Sequence, residues 1–370
     1  MRPRAPNDFA LDRSRRADGR QVLYYRWAST APSDAPAAGP ATFEPNAGEL
    51  RWNAPLGEWV IVAPERQDRI FLPSEEACPL CPTRPDGPPT ELERPDFEIA
   101  VFDNRFPALV ADAPEPYPAS TATARRAPAI GASEVVVYTP RHDATIASLS
   151  ADEARNLVAV WRHRTRELGA RPDVRYVFIF ENRGEAIGVT LHHPHGQIYA
   201  YPFVPPVLAR ELAAVREHRA TAGTCLWCEQ LAAEETDGSR IVRAGQLWLT
   251  GVPFAARWPY EVHLVSRRHV GSLTDLDQAE QDALADAIQD VVRRYDALFG
   301  FQLPYVMAVH QSPSTEGGDD HDVHLHVEFY PRHRTEAKLK YLAGSEVGAG
   351  VFVGDMYPEA IAKRLRDAAG

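Results

Sequence analysis

The sequence has no run of about twenty apolar residues, the length that a membrane-spanning helix needs. Its opening, MRPRAPNDFALDRSRRADGR, carries charge but no apolar stretch of the kind found in a secretory signal. Positive charge is not in excess: 40 Lys and Arg against 51 Asp and Glu give a formal charge of −11 with histidines neutral. That balance disfavours a broad polyanion-binding face, and so nucleic acid as a partner, but leaves room for a local basic pocket that takes a small phosphate compound. Cysteine is scarce as well, four in 370 residues. Together these absences predict a cytoplasmic protein that engages neither membrane nor nucleic acid.

What is present is 44% hydrophobic content over a length that suits roughly two to three domain equivalents. The stretch ASTAPSDAPAAGPATFEPNAG, residues 28–48, is small, proline-rich and aperiodic. It predicts a flexible N-terminal extension over residues 1–49, with core structure beginning near Leu50.

All four cysteines fall in two pairs, Cys78-Pro-Leu-Cys81 and Cys225-Leu-Trp-Cys228. In a reducing compartment such pairs are metal ligands or redox centres more often than disulfides. The pairs are too far apart for one zinc ribbon, so each must recruit its own two further ligands. Reduced, unliganded thiols and a redox pair are the alternatives, the latter weakened because neither pair opens a helix in a βαβ unit.

An internal repeat supplies the ligands. Residues 134–169, EVVVYTPRHDATIASLSADEARNLVAVWRHRTRELG, are echoed by residues 261–300, EVHLVSRRHVGSLTDLDQAEQDALADAIQDVVRRYDALFG. Each begins with a β-branched strand, passes a basic residue followed by histidine, and enters an amphipathic helix through a capping box, Ser150 with Glu153 and Asp277 with Glu280. Ala154, Leu157, Trp161 and Leu168 form one apolar stripe; Leu284, Ile288, Val291, Tyr295 and Leu298 form the other. Another apolar strand and a His-x-His strand follow in each copy, HPHGQIYAYP and HLHVEFYP. The parallel order of cysteine pair, histidine, helix, strand and His-x-His predicts two structural zinc sites, one from Cys78, Cys81, His142 and His193 and one from Cys225, Cys228, His269 and His324.

Residues two apart on a strand point to the same side, about 6.5–7 Å apart. If His193 binds zinc, His195 stands beside it and free. A neutral imidazole nitrogen can attack a phosphoryl or nucleotidyl phosphorus to give a reactive phosphoramidate. That role needs an acceptor such as a backbone carbonyl on the other ring nitrogen, and donors for the phosphate oxygens. Gln197, Thr190 and the backbone amides from Gly184 to Gly188 are candidates for the second. Gly196 removes a side chain where a ligand would approach the backbone. A metal ligand or a satisfied core histidine is the plainer reading of an isolated HPH.

The segment FENRGEAIGVTLHHPHGQIYA resembles the active-site signature of galactose-1-phosphate uridylyltransferases, a branch of the histidine-triad superfamily made of two fused halves. WVIVAPERQDR, CPLC, VFDNRFPAL, PFAARWPYEV and KYLAGSE agree, so the resemblance spans about residues 50–364. It implies an α+β fold of two histidine-triad-like halves, each an antiparallel sheet with one main packing helix. Residues 50–205 would form the catalytic half and 206–370 the second. It also implies a ping-pong transfer in which UDP-glucose gives its uridylyl group to His195, glucose 1-phosphate leaves, and galactose 1-phosphate accepts the group. By motif match Gln197 would hold the α-phosphoryl oxygens, and Asn182 and Thr190, the latter in place of a common serine, would lie along the phosphates. Phe102 and Asn104 would border the uridine, Arg66 and Arg69 would reach nucleotide phosphates, and Lys340 and Glu346 would contact the hexose. A homodimer is implied, with residues of one copy serving the other's site. Surface charge for the arginines and Lys340, and turn or core roles for Phe102 and Asn104, are the plainer readings.

The chain also departs from the pattern. Many relatives hold a second metal, iron or zinc, with one glutamate and three histidines; here the matching positions are Glu211, His310, His326 and, in place of the third histidine, Glu328. The second cysteine pair instead resembles a subgroup that includes plant nucleotide-sugar phosphorylases, which favours His324 as zinc ligand over the Glu211, His310, His326 and Glu328 set. The same departure keeps an alternative activity open, an ADP-glucose-type phosphorylase or adenylyltransferase using the same histidine. HLHVE lacks the Gly-Gln that follows HPH, so the second copy is expected to keep structure without catalysis. His163 and His263 are read as structural, and His192, His218, His321 and His333 as without a role.

Overall fold

The computed structural model describes residues 7–27, 48–68, 72–84, 87, 89–95, 97–314 and 322–368. The strands are β1 (Ala10–Arg15), β2 (Gln21–Arg26), β3 (Glu49–Asn53), β4 (Glu58–Val62), β5 (Ile99–Asp103), β6 (Arg126–Pro128) and β7 (Ala132–Val137). Helix α1 (Ala151–Gly169), β8 (Tyr176–Arg183), β9 (His195–Tyr201), α2 (Pro206–Ala222) and α3 (Leu226–Asp237) come next. The second repeat runs through β10 (Ile241–Ala244), β11 (Trp248–Gly251), β12 (Val262–Ser266), α4 (Gln278–Phe299), β13 (Tyr305–His310) and β14 (His326–Pro331), before β15 (His333–Thr335), β16 (Lys338–Leu339) and α5 (Pro358–Asp367).

Eleven strands form one antiparallel sheet in the order β1-β2-β5-β7-β9-β8-β13-β14-β12-β11-β10, so the two halves are joined edge to edge where β8 pairs with β13. Neither half leaves a bare edge at the seam, which is how two small sheets avoid exposing unpaired backbone. α1 and α4 lie side by side and contribute to one apolar core with the strands. Both capping boxes form: Ser150 accepts from the Glu153 amide and Asp277 from the Glu280 amide, at 3.2 and 2.8 Å. Every residue of the two stripes is buried except Leu298, which is half-buried. Gln289 of α4 donates to the Ile146 and Leu149 carbonyls, tying the second helix to the entry of the first.

The expected flexible extension over residues 1–49 is corrected at its first part. Gln21–Arg26 alternates across the sheet face and pairs with β5, and β1 pairs with β2, so structure begins well before Leu50. Tyr25 is fully buried and its hydroxyl meets His163 Nδ1 at 2.8 Å, with Phe9 packed edge-on against both rings. The proline-rich composition that suggested an extension belongs to residues 28–47, which lie outside the described residues. A six-residue strand with an apolar face is enough to extend a sheet that offers it an open edge.

Candidate active site and metal centres

β8 and β9 are neighbours in the sheet, and the turn between them carries the histidine-rich segment over the strand ends. Gly184 opens that turn at φ +84°, where a Cβ would stand 2.8 Å from the Pro304 ring. At Gly196 a Cβ would stand 2.2 Å from the Tyr138 hydroxyl. The close approach expected there from a ligand is therefore made by Tyr138, which packs beneath the strand.

His195 Nδ1 lies 2.7 Å from the His193 carbonyl oxygen. A carbonyl only accepts, so Nδ1 carries the proton and Nε2 presents a lone pair. Burial holds the imidazole below the ordinary histidine range, which keeps it neutral near pH 7. Two cavities meet at this ring. One, about 110 Å³, is lined by Phe102, Asn104, Arg105, Thr190 and Gln197 as well as His195. The other, about 310 Å³, is lined by Glu181, Asn182, Gly184 and His195 beside the first cysteine cluster's histidines. Phe102, Asn104, Asn182, Gly184, Thr190 and Gln197 thus each line one of the two cavities that include His195. Asn104 already uses its side-chain oxygen to accept from the Phe106 amide at 2.9 Å, the turn role, which leaves its amide nitrogen for a ligand.

Other expected residues stand elsewhere. Arg66 lines neither cavity; it donates to the Tyr199 hydroxyl at 2.8 Å, two residues along β9 from Gln197. Gly188 follows the short helical turn Glu185–Ile187 at φ +86° and lines neither cavity. Arg69 and His321 lie outside the described residues. Lys340 is buried, not exposed: its Nζ meets the Val353 carbonyl, with Glu346 at 4.0 Å and Asp355 at 3.8 Å, and neither Lys340 nor Glu346 lines a cavity at His195 of its own chain.

Among the described residues three clusters of metal-ligating side chains form, each with its ligand atoms within 4.8 Å of one another. In the first, His142 and His193 turn Nδ1 toward Cys81 Sγ at 3.3 and 3.5 Å, and His193 Nε2 donates to the Thr139 carbonyl at 2.8 Å. In the second, Cys225 and Cys228 surround His324 Nδ1 at 3.8 and 3.7 Å, His269 Nδ1 is 3.6 Å from Cys228, and His324 Nε2 donates to the Ser266 carbonyl at 2.6 Å. The cysteines are free thiols. Burial, with the neighbouring thiol adding to it, pushes Cys81 up to about 12 and Cys228 up to about 11. A divalent cation would reverse that preference, since it takes thiolates as ligands, and the carbonyls behind both histidines are the outer partners that orient imidazoles on a metal. The donor sets fit tetrahedral zinc. Cys225 caps α3, so the second pair does open a helix, although the element before it is α2 rather than a strand.

The third cluster is Glu211, His310, His326 and Glu328. The sequence presented His324 and His326 as competitors on one strand face. The structure separates them: His324 turns to the cysteines while His326 turns Nδ1 to the His324 carbonyl at 2.8 Å and Nε2 toward Glu328 and Glu211 at 3.5 and 3.9 Å. His326 is therefore the counterpart of His195, with the same carbonyl on the same nitrogen, and both metal sets assemble. His310 Nδ1 meets Glu211 at 2.9 Å.

Sequence reading missed three residues. Arg105 lines the smaller cavity at His195, and its adjacency to Asn104 in VFDNRFPAL was the available signal. Glu181 is buried in the wall of the larger one, its carboxyl pushed up to about 7 by burial, and sits one residue before Asn182. His263, read as structural, faces Glu328 across β12 and β14 at 3.2 Å.

Comparison with known proteins gives a consistent picture. The family model for the N-terminal domain of galactose-1-phosphate uridyl transferase matches residues 41–205, and that for the C-terminal domain matches residues 211–369. A galactose-1-phosphate uridylyltransferase of Thermotoga maritima is 38% identical over 320 residues, 86% of this chain and 98% of the relative. One from Streptomyces lividans is 36% identical over 373 residues, 96% of this chain and 97% of the relative. A solved uridylyltransferase structure superposes with a TM-score of 0.78 at 34% identity, covering 86% of this chain and 98% of that one.

Proposed function

The chain belongs to the galactose-1-phosphate uridylyltransferase family, and from that premise we propose how its own residues move a uridylyl group from UDP-glucose to galactose 1-phosphate. The single observation that carries the proposal is the His195 ring, pinned through Nδ1 to a carbonyl with its other nitrogen free between two cavities. His195 Nε2 attacks the α-phosphorus of UDP-glucose. The N–P bond forms as the bond from that phosphorus to the bridging oxygen breaks, and glucose 1-phosphate leaves with the electron pair. A phosphate oxygen of galactose 1-phosphate then attacks the same phosphorus, the N–P bond breaks, and Nε2 recovers its lone pair as UDP-galactose departs. The nucleophile needs no base to deprotonate it, because the carbonyl has already fixed the tautomer.

Gln197 donates to the α-phosphoryl oxygens, where a preset amide is worth most as charge gathers in the transition state. Thr190, Asn182 and the Gly184 amide serve the remaining phosphate oxygens, and Arg105 stands at the uridine-side mouth with Phe102 and Asn104. Zinc held by Cys78, Cys81, His142 and His193 would lock the strand that presents His195, and zinc held by Cys225, Cys228, His269 and His324 would do the same in the second half. A divalent ion, zinc or iron, suits the Glu211, His310, His326 and Glu328 set. Cysteines used as metal ligands rather than in disulfides support a cytoplasmic setting.

The segment that carries Lys340 and Glu346 reaches the hexose in the site of a second copy. Tyr341, Val347, Val351, Val353 and Tyr357 are more than half exposed on the segment that carries them, an apolar face that a homodimer would cover. Light scattering is expected to give twice the chain mass, and paired substitutions Tyr341→Glu and Val347→Glu to return monomers; an unchanged mass in the variant removes this segment from the interface.

The catalytic reading is tested by intact mass after brief exposure to UDP-glucose without acceptor. Wild type is expected to gain one uridylyl group and His195→Ala none. ADP-glucose offered with inorganic phosphate is expected to give neither adduct nor turnover. A uridylyl adduct that survives in His195→Ala moves the nucleophile to another residue.

A further inference from the structure

The repeat duplicates the strands around the His-x-His motif, and their register identifies which residues correspond. Across β7 and β9, Val135 stands opposite Gln197, and Phe102 of β5 opposite Val135. Across β12 and β14, His263 stands opposite Glu328, and Gly251 of β11 opposite His263. Gly251 is thus the counterpart of Phe102. Where the first half places a ring beside the catalytic strand, the second places no side chain, and the cavity there measures about 550 Å³ against about 110 Å³. Packing does not demand glycine at that point: a Cβ on Gly251 would meet only the Arg240 carbonyl oxygen, at an ordinary 3.4 Å.

The floor of this larger cavity is made by Glu211, Glu328, His263 and Arg257, and Trp227, Leu249 and Val252 form apolar wall. Glu328 is held from three sides, by His263 Nε2 at 3.2 Å, by the Tyr330 hydroxyl, and by Arg257 at 3.6 Å. Glu261 fixes His263 in turn at 3.0 Å while accepting from the Arg257 and Trp258 amides. His326 Nε2 is buried and has no hydrogen-bond partner among the described residues, and it is aimed at Glu211 and Glu328. Two carboxylates alone would repel an anion; with a divalent cation between them and Arg257 beside them, the floor attracts one. The volume falls in the usual range for small-ligand pockets, about 300–1,000 Å³.

We propose that the second half holds a small-molecule site of its own, in the space that Gly251 leaves open, for a monocarboxylate with a compact apolar body whose head group meets a metal ion and Arg257 on the cavity floor. This rests on the reading that Glu211, His310, His326 and Glu328 hold that ion. Of the four ligands, Glu211 and Glu328 also line the cavity while His310 and His326 do not, so the cluster turns its carboxylates toward the cavity, beside Arg257.

The test uses the full chain, replete with metal, titrated with benzoate by calorimetry in the presence of saturating UDP-glucose, alongside metal content per chain. The expected result is three metal ions and one saturable benzoate site per chain, with no binding of benzyl alcohol. Gly251→Phe, which restores the side chain of the first half, is expected to keep three metals and the uridylyl adduct while weakening benzoate by about tenfold or more. His326→Ala is expected to lose one metal and benzoate together. Three metals without saturable benzoate binding, or unchanged binding in Gly251→Phe, overturns the cavity site alone; two metals in wild type refutes the third metal centre and the cavity site with it.

Discussion

His193 and His195 show how two imidazoles two residues apart can be given different chemistry by the backbone alone. His193 turns Nδ1 to Cys81 and donates Nε2–H to a carbonyl from the neighbouring strand end; His195 donates Nδ1–H to the carbonyl of His193 itself and leaves Nε2 free. Another histidine reports on burial in a way that can be measured. His163 is held down to about 4 by burial, neutral beside the Tyr25 hydroxyl. Its unfolded counterpart takes up a proton near the ordinary value of about 6.5. The stabilising contribution is therefore complete above about pH 6.5 and is lost as pH falls from there toward 4. His163→Gln, which keeps an acceptor for Tyr25 but cannot titrate, is expected to lose less stability than wild type between about pH 7 and about pH 4.5, measured as urea midpoints. Equal losses in the two proteins would show that this ring is not a source of the acid sensitivity.

At the scale of elements, α1 and α4 obey the same local rules and meet along one seam. Their caps and stripes follow directly from the sequence, since Ser150 with Glu153 and Asp277 with Glu280 satisfy the first-turn amides wherever a helix of this pattern starts. What crosses the seam is less predictable from pattern. Gln289 is a buried amide on an otherwise apolar face, donating at 2.9 and 2.8 Å to the Ile146 and Leu149 carbonyls. Gln289→Leu keeps the bulk and leaves both carbonyls short of a partner, an expected cost of about 1–3 kcal/mol in denaturant melts. The N-terminal hairpin teaches the opposite lesson. Val22, Tyr24 and Tyr25 carried a readable strand signal, but the proline-rich residues after them weighed more heavily, and only the open edge of β5 makes a strand there worthwhile.

Over the whole molecule the two halves are one sheet, and their asymmetry is chemical rather than topological. The first keeps Gly-Gln after its His-x-His and a cavity lined by Asn104, Arg105, Thr190 and Gln197; the second has Glu328 in the place of Gln197 and a His-Glu cluster in the place of a nucleophile. The two Cys₂His₂ clusters bring together chain segments that the sheet alone does not join, Cys78 and Cys81 with His193 just before β9 and Cys225 and Cys228 with His324 just before β14. Stripping metal with a strong chelator is expected to lower the melting temperature, and Cys78→Ser and Cys225→Ser each to release one zinc per chain while leaving the other in place. A metal content untouched by either substitution would deny these thiols their role as ligands.

The spacing of the cysteine pairs, the repeated order of histidine, helix and His-x-His, and the capping boxes were all determined by the sequence, because each rests on short-range chemistry with a fixed periodicity. Which of His324 and His326 faces the cysteines, that Glu328 draws His263 toward it, that Lys340 is buried, and that Gly251 stands where Phe102 stands were decided only by the tertiary structure. Those outcomes depend on strand register and on which neighbour lies across the pleat, and a single chain read end to end does not contain its own cross-strand pairings.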